Sequence, residues 1–140
     1  MPVRHILVVE DSDEDFETVL DAARGAAVQR PIVRALSGGQ ALRLLGGPAR
    51  GRETLPALLL LDLNTAGDDG REALRDIRQD PSLRTLPLVV LSASANPRDL
   101  DHCYSLGANA YHVKPVDHAA HLLVLRQIFA YWLGSVLLPT

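Results

Sequence analysis

Five short, mostly apolar runs, each four to six residues long, recur along the chain, and all but the last are rich in valine, isoleucine or leucine. Runs of this length with few polar residues are typical of strands buried on both faces of a parallel sheet. They predict strands at residues 5–9, 32–36, 57–61, 86–91 and 110–113.

Between these runs, apolar residues recur at helical spacing. The first helix is predicted to begin after Ser12, whose hydroxyl can cap it. The acids of residues 13–15 would lie in the positive first turn of this helix, and no further role is predicted for them. The other helices are predicted at residues 40–45, 69–80, 97 to about 106 and 117 to about 137, and loops at 46–56 and 64–68. Gly107 and Asp117 are the expected stop and cap of the last two helices.

Strands and helices alternate along the whole chain, with no internal repeat and no low-complexity segment. This alternation predicts an α/β fold, a doubly wound parallel sheet with helices on both faces. Parallel sheets of this kind place their functional sites at the carboxyl ends of the strands. The residues that follow each predicted strand are therefore the first candidates for chemistry.

Composition narrows the class of protein. A length of 140 residues with 47% hydrophobic residues fits one domain spanning 1–140. The net charge of −3 gives no basic surface for nucleic acid, no apolar run is long enough for a membrane span, and the lone Cys103 has no disulfide partner. A cytoplasmic protein is expected. Lys114 is the only lysine among 14 basic residues, which indicates a need that arginine does not meet.

The first, third, fourth and fifth predicted strands are followed, in that order, by Glu10 with Asp11, by Asp62, by Ser92 and by Lys114. Three acids at one sheet edge would repel one another unless a cation neutralises them. Mg²⁺ suits carboxylate oxygens, and the Asn64 carbonyl could complete its ligand set of Glu10, Asp11 and Asp62. Asp62 is then a candidate nucleophile for a phosphoryl group whose oxygens Lys114 and Ser92 would contact.

The segments VVEDS (8–12), LLLLDLN (58–64), VVLSA (89–93), LGANAY (106–111) and KP (114–115) resemble bacterial response-regulator receiver domains. The resemblance implies a flavodoxin-like sheet of strand order 2-1-3-4-5. It implies that Asp62 is the phosphoacceptor, supplied by a sensor histidine kinase, and that Glu10 and Asp11 bind the metal. Ser92 and Tyr111 would be the switch residues and Lys114 the phosphate-binding lysine. Such a protein promotes its own phosphorylation and dephosphorylation rather than acting as an enzyme on other substrates.

The segments DGREAL (69–74) and VKPVD (113–117) and the tail from YWL onwards are similar to the response regulators that partner cyanobacterial phytochromes and bacteriophytochromes. This narrower resemblance implies a bilin-binding kinase that responds to red and far-red light. Two positions depart from the family. Ala66 stands where proline is usual, and Asp68 where an apolar residue is often found.

The segment 117–138 is unusually apolar, and one helix would use most of the chain after Lys114. Output would then go through protein contacts. Leu123, Ile128, Tyr131 and Leu138 fall largely off the stripe that one buried face needs, which favours a homodimer. The interface is predicted at Leu122, Phe129, Trp132, Leu133 and Val136. The alternative is that the helix covers the sheet more widely.

Three other functions compete with a phosphorylation switch. An aspartyl-phosphate phosphohydrolase would need a second acid two residues after its nucleophile, where this chain has Asn64. A degenerate receiver that only binds partners would commonly have lost the acceptor or the lysine, and both are present. An intermediate carrier in a phosphorelay would use the same residues, and the sequence leaves that alternative open.

Overall fold

A computed structural model of the chain describes residues 3–46, 55–65 and 69–139. Ala66 and Asp68, the two positions that depart from the family, lie outside these residues. Most of the predicted loop at 46–56 also lies outside them. The elements, in chain order, are β1 Ile6–Val9, α1 Asp13–Gly25, β2 Ile32–Ala35, α2 Gly38–Leu45, β3 Leu58–Asp62, α3 Gly70–Gln79, β4 Leu88–Ser92, α4 Pro97–Leu106, β5 Ala110–Val113 and α5 His118–Ala130. A 3₁₀ turn follows α3 at Pro81–Leu83, and a π-helical turn follows α5 at Tyr131–Ser135.

The five strands form one parallel sheet of order β2-β1-β3-β4-β5, as expected. Successive residues of a strand face opposite sides, so β1 contributes to two cores. Leu7 and Val9 belong to a core shared with α2, α3 and α4, whereas Ile6 and Val8 belong to one shared with α1 and α5. The central strands are therefore apolar throughout until the residues at their carboxyl ends.

The predicted helix signals are confirmed where the structure describes them. The Ser12 hydroxyl accepts a hydrogen bond from the Asp15 backbone N–H at 3.2 Å, and the Asp117 carboxylate accepts one from the Ala120 N–H at 2.9 Å. Gly107 ends α4 at a φ of 111°, in the left-handed region that glycine enters without a steric penalty. None of the helices among the described residues is long and apolar enough to cross a membrane.

The last helix differs from the prediction. Its α-helical part ends at Ala130 rather than near residue 137, and residues 136–139 belong to no helix or strand. Ile128 was expected off the buried stripe and Phe129 in a dimer interface, yet both are only 1% exposed, within the core that α5 shares with α1. The reason is that nine of the 13 residues of this helix are apolar, so periodicity does not identify the buried face.

Candidate functional site at the carboxyl edge of the sheet

The predicted strand-end residues meet at one edge of the sheet. Asp62 is the last residue of β3 and Ser92 the last of β4. Glu10 directly follows β1 and is tied to β2 by a hydrogen bond from its N–H to the Ala35 carbonyl at 2.9 Å. Lys114 directly follows β5, and its N–H donates to the Ser92 carbonyl at 2.7 Å. Backbone pairing therefore sets the starting point of each of these side chains.

The Lys114 ammonium lies at the centre of the site. Its Nζ donates to Asp62 Oδ2 at 2.7 Å and to Glu10 Oε1 at 2.8 Å. A third carboxylate oxygen, Asp15 Oδ2, lies 2.7 Å from the same nitrogen. An ammonium has three N–H donors, so each donor faces one carboxylate. Lys114 Nζ and the Asp62 carboxylate, which the sequence analysis places at one sheet edge, are therefore in direct contact.

These charges lie largely away from solvent. Glu10 is 3% exposed, Asp62 is 4% exposed, and the Lys114 side chain is 15% exposed. Burial, with a smaller contribution from the Asp62 charge, raises the pKa of Glu10 to about 7, although the hydrogen bond from Lys114 opposes this rise. Burial alone would lower the pKa of Lys114, but its bonds to Asp15, Asp62 and Glu10 together raise that pKa above its ordinary value. Lys114 is therefore charged throughout the physiological range.

Asp15 is a site residue that the sequence analysis missed. It was interpreted as part of a helix N-terminus only, whereas its carboxylate pairs with Lys114. No spacing in the sequence identifies this contact, because Asp15 lies in the first turn of α1 whereas Glu10 and Asp11 precede the residue that caps the helix. Asp13 behaves as expected for a helix start, since its side chain is 93% exposed and pairs with Arg34 at 2.8 Å.

The expected metal ligands are only partly assembled. Among the described residues, no group of three aspartate, glutamate, histidine or cysteine side chains has the arrangement of a metal site. Lys114 donates to Glu10 and Asp62 at once and so fills the space between their carboxylates. The donor set is nevertheless entirely oxygen, with Asp11 exposed at the rim, which is the chemistry that Mg²⁺ prefers. The residues fit a hard cation, provided that Lys114 moves away from the acids.

A hydrogen-bonded chain runs from this site to β5. The Asn64 N–H donates to Asp62 Oδ1 at 2.9 Å, and Ser92 Oγ donates to the Asn64 side-chain oxygen at 3.4 Å. The Ser94 N–H then donates to Ser92 Oγ at 3.1 Å, and the Tyr111 hydroxyl donates to the Ser94 carbonyl at 2.7 Å. Ser92 and Tyr111, the two residues assigned as a switch, are thus linked through Ser94, which the sequence did not single out.

The predicted interface residues are distributed unevenly. Leu122, Trp132 and Leu133 are partly buried against the chain's own core, and Phe129 is fully inside it. Val136 is half-buried. The strongly exposed apolar side chains of this region are instead Leu123, Tyr131 and Leu137.

Comparisons with known proteins agree with the resemblance found in the sequence. A family model described as the response regulator receiver domain matches residues 6–126. Response regulator Rcp1 of Synechocystis sp. is 33% identical over 139 residues, which cover 99% of this chain and 95% of Rcp1. A solved Mn²⁺-bound form of Rcp1 has a TM-score of 0.87 and covers 98% of this chain and 99% of Rcp1.

Two further solved structures are similar over nearly their whole length. The phosphorylated cyanobacterial phytochrome response regulator RcpA is 33% identical, with a TM-score of 0.88 and coverage of 99% of this chain and 100% of RcpA. Response regulator RPA3017 in red light signalling of R. palustris is 32% identical, with a TM-score of 0.84 and coverage of 99% of both chains. The predicted receiver fold and the narrower resemblance to phytochrome response regulators are confirmed.

Proposed function

Because the chain belongs to the family of response regulator receiver domains, we propose that Asp62 accepts a phosphoryl group from a phosphohistidine of a sensor histidine kinase. The observation that carries this proposal is the buried Lys114 ammonium 2.7 Å from the Asp62 carboxylate, at the carboxyl edge of the sheet. A phosphate on Asp62 would lie within reach of that ammonium without any change in the backbone.

The transfer would proceed by attack of an Asp62 carboxylate oxygen on phosphorus. The phosphorus–nitrogen bond of the phosphohistidine would break, its electron pair would stay on the kinase imidazole, and an acyl phosphate would form on Asp62. Phosphoryl transfer depends mainly on positioning and charge stabilisation. Lys114 would turn from the carboxylate to one phosphoryl oxygen, and the Ser92 hydroxyl would donate to another.

Receiver domains bind Mg²⁺ or Mn²⁺, and the Mn²⁺-bound Rcp1 is an example. In this chain the ligands would be the carboxylates of Glu10, Asp11 and Asp62 and the backbone carbonyl of Asn64. A bound Mg²⁺ would supply positive charge to the phosphoryl oxygens. The raised pKa of Glu10 supports this assignment, because a buried acid next to a second acid is stabilised by added positive charge.

Phosphorylation would act as a switch through the hydrogen-bonded chain described above. A new acceptor on Asp62 would draw the Ser92 hydroxyl away from Asn64. Ser94 and Tyr111 would follow, because each is bonded to the next. A local change of charge would thereby alter the surface formed by α4 and β5, which is where a partner would detect it.

The kinase is proposed to be a phytochrome-type sensor, and the similarity to RcpA and RPA3017 over nearly the full chain supports this. The protein would then report red and far-red light. A homodimer through α5 and the residues that follow it is also part of the proposal. The exposed Tyr131 and Leu137 support a dimer, with Phe129 removed from the predicted interface.

The decisive experiment is phosphorylation of the purified protein by a small phosphodonor with Mg²⁺, followed by intact mass. The wild-type chain is expected to gain the mass of one phosphoryl group and Asp62→Asn none. Asp13→Asn is the matched control, since it removes a nearby carboxylate that lies outside the site, and it should label normally. Undiminished labelling of Asp62→Asn would overturn the assignment of the acceptor.

A further inference from the structure

Lys114 is held by three carboxylates, and the proposed function uses only two of them. Glu10 and Asp62 are assigned to metal binding and phosphoryl transfer. Asp15 has no assigned role, yet its Oδ2 lies 2.7 Å from Lys114 Nζ, the same distance as Asp62 Oδ2. Asp15 also differs in its surroundings, because its side chain is 34% exposed at the rim whereas those of Glu10 and Asp62 are 4% and 5% exposed.

The position of Asp15 is fixed by the start of α1. Its backbone N–H is bonded to the Ser12 hydroxyl that caps the helix, so the residue is anchored next to β1. A carboxylate in that place approaches Lys114 from the side of α1, whereas Glu10 and Asp62 approach from the sheet. The ammonium therefore has one anchor that does not belong to the strand ends.

We propose that Asp15 is a positioning residue that keeps the Lys114 ammonium at the rim of the site when Glu10 and Asp62 turn to a divalent cation or a phosphoryl group. This inference rests on the proposed function. A divalent cation bound by Glu10 and Asp62 repels a neighbouring ammonium that has lost both of those partners. Asp15 offsets the repulsion because it is outside the ligand set and retains its own bond to Lys114.

The chain offers a direct readout, because Lys114 is its only lysine. Protein labelled with ¹³C,¹⁵N-lysine gives one set of side-chain resonances, all from this residue. In metal-free protein, Asp15→Asn is expected to shift the Cε and Nζ resonances and to speed exchange of the ammonium protons. Asp13→Asn, the same change two residues away on the same helix, should leave them unchanged, since Asp13 pairs with Arg34.

Affinity for Mg²⁺, measured by calorimetry, tests the second half of the inference. Asp15→Asn is expected to weaken binding roughly tenfold in the wild-type chain and by less than about twofold in the Lys114→Met background, since the effect acts through Lys114. Equal losses in both backgrounds would reduce Asp15 to a general negative charge and overturn the proposal. Asp15→Glu, which restores the charge, should recover most of the affinity.

Failure of this inference is distinguishable from failure of the proposed function. Unchanged lysine resonances in folded Asp15→Asn, judged by its amide spectrum, would refute the role of Asp15 while phosphorylation of Asp62 stands. Absence of wild-type labelling by a phosphodonor would refute the proposed function, whatever Asp15 does to Lys114. If Asp15→Asn does not fold, Asp15→Ser removes the same carboxylate with a smaller side chain, and unchanged lysine resonances together with an unchanged affinity for Mg²⁺ in that variant would contradict the inference.

Discussion

The carboxyl edge of the sheet buries charge, whereas the residues after α5 expose apolar side chains. Glu10 and Asp62 are 3% and 4% exposed, while Tyr131 is 54% and Leu137 fully exposed. Both regions reverse the usual distribution of polar and apolar residues in a soluble domain. They differ in whether the chain itself offsets the cost of this unusual placement. Buried carboxylates have Lys114 inside the same chain, whereas a fully exposed leucine has no equivalent cover from the chain itself.

The difference indicates two kinds of functional surface. A buried ion cluster is costly to desolvate and is weak evidence for stability, so its persistence at a sheet edge points to chemistry. An exposed apolar group points to contact with another molecule. The boundary between the core and the exposed apolar surface lies at the end of α5, because Phe129 is in the core and Tyr131, in the π-helical turn that follows, is not.

Phe129→Ala tests this boundary with the largest expected effect. Truncating a fully buried aromatic side chain is expected to lower the free energy of unfolding by about 3–5 kcal/mol. Leu137→Ala, in the exposed segment, should change it by no more than about 0.5 kcal/mol. Urea denaturation measures both changes in the free energy of unfolding, with each variant keeping the wild-type dependence of that free energy on urea concentration. Similar values for the two variants would mean that the boundary between core and surface is misplaced.

Lys114→Met tests the buried charges. Loss of a preorganised charged donor is expected to slow phosphorylation by a small phosphodonor by roughly 10²–10³-fold. The initial rate of mass gain at saturating Mg²⁺ measures this. Lys114→Arg keeps the charge but presents a planar group, so it should recover part of the rate. A wild-type rate in Lys114→Met would show that the ammonium does not contact the transferred group.

Residues at strand ends were the most predictable part of the site. Once the apolar runs define parallel strands, Glu10, Asp62, Ser92 and Lys114 must meet at one edge, because the topology aligns the carboxyl ends. Asp15 was missed for a physical reason. Its contact depends on how α1 packs against the sheet, which no local pattern encodes. The pairing of Lys114 with the acids was likewise expected only through a shared phosphate.

The last helix was the least predictable element. Its length was overestimated and the buried side chains Ile128 and Phe129 were misassigned, because amphipathic periodicity disappears when most positions are apolar. The strand limits, in contrast, were within two residues, since polar residues or prolines bound each apolar run. The limits of an element are therefore predictable where apolar and polar residues alternate clearly, as at the strand ends, and less so after Asp117, where most residues are apolar.

The pH dependence of stability tests the burial of Glu10. Folding raises the pKa of Glu10 to about 7, mainly by burial, so its stabilising contribution is complete below its unfolded value near 4.5 and is lost as pH rises through 7. Without divalent cations, wild-type stability relative to Glu10→Gln should fall by on the order of 2 kcal/mol between about pH 5 and pH 8. Urea denaturation of both proteins across that range measures the difference.

Comparison with Glu10→Gln is required because other groups titrate in the same range with the opposite sign. Burial lowers the pKa of His5, His112 and His121, so their contribution is present at high pH and is lost as pH falls. These histidines are common to both proteins and cancel in the difference. Parallel stability curves would contradict the raised pKa of Glu10.

The smallest expected effect concerns the exposed segment and the proposed dimer. Leu137→Asp is expected to weaken self-association about tenfold, because a charge would replace an apolar contact at the interface. Leu44→Asp is the matched control, since Leu44 is 52% exposed on α2, away from α5, and should leave the association constant unchanged. Sedimentation equilibrium measures both. A wild-type chain that is monomeric at concentrations on the order of tens of micromolar would exclude the dimer, and the exposed leucine would then need a different partner, such as the kinase.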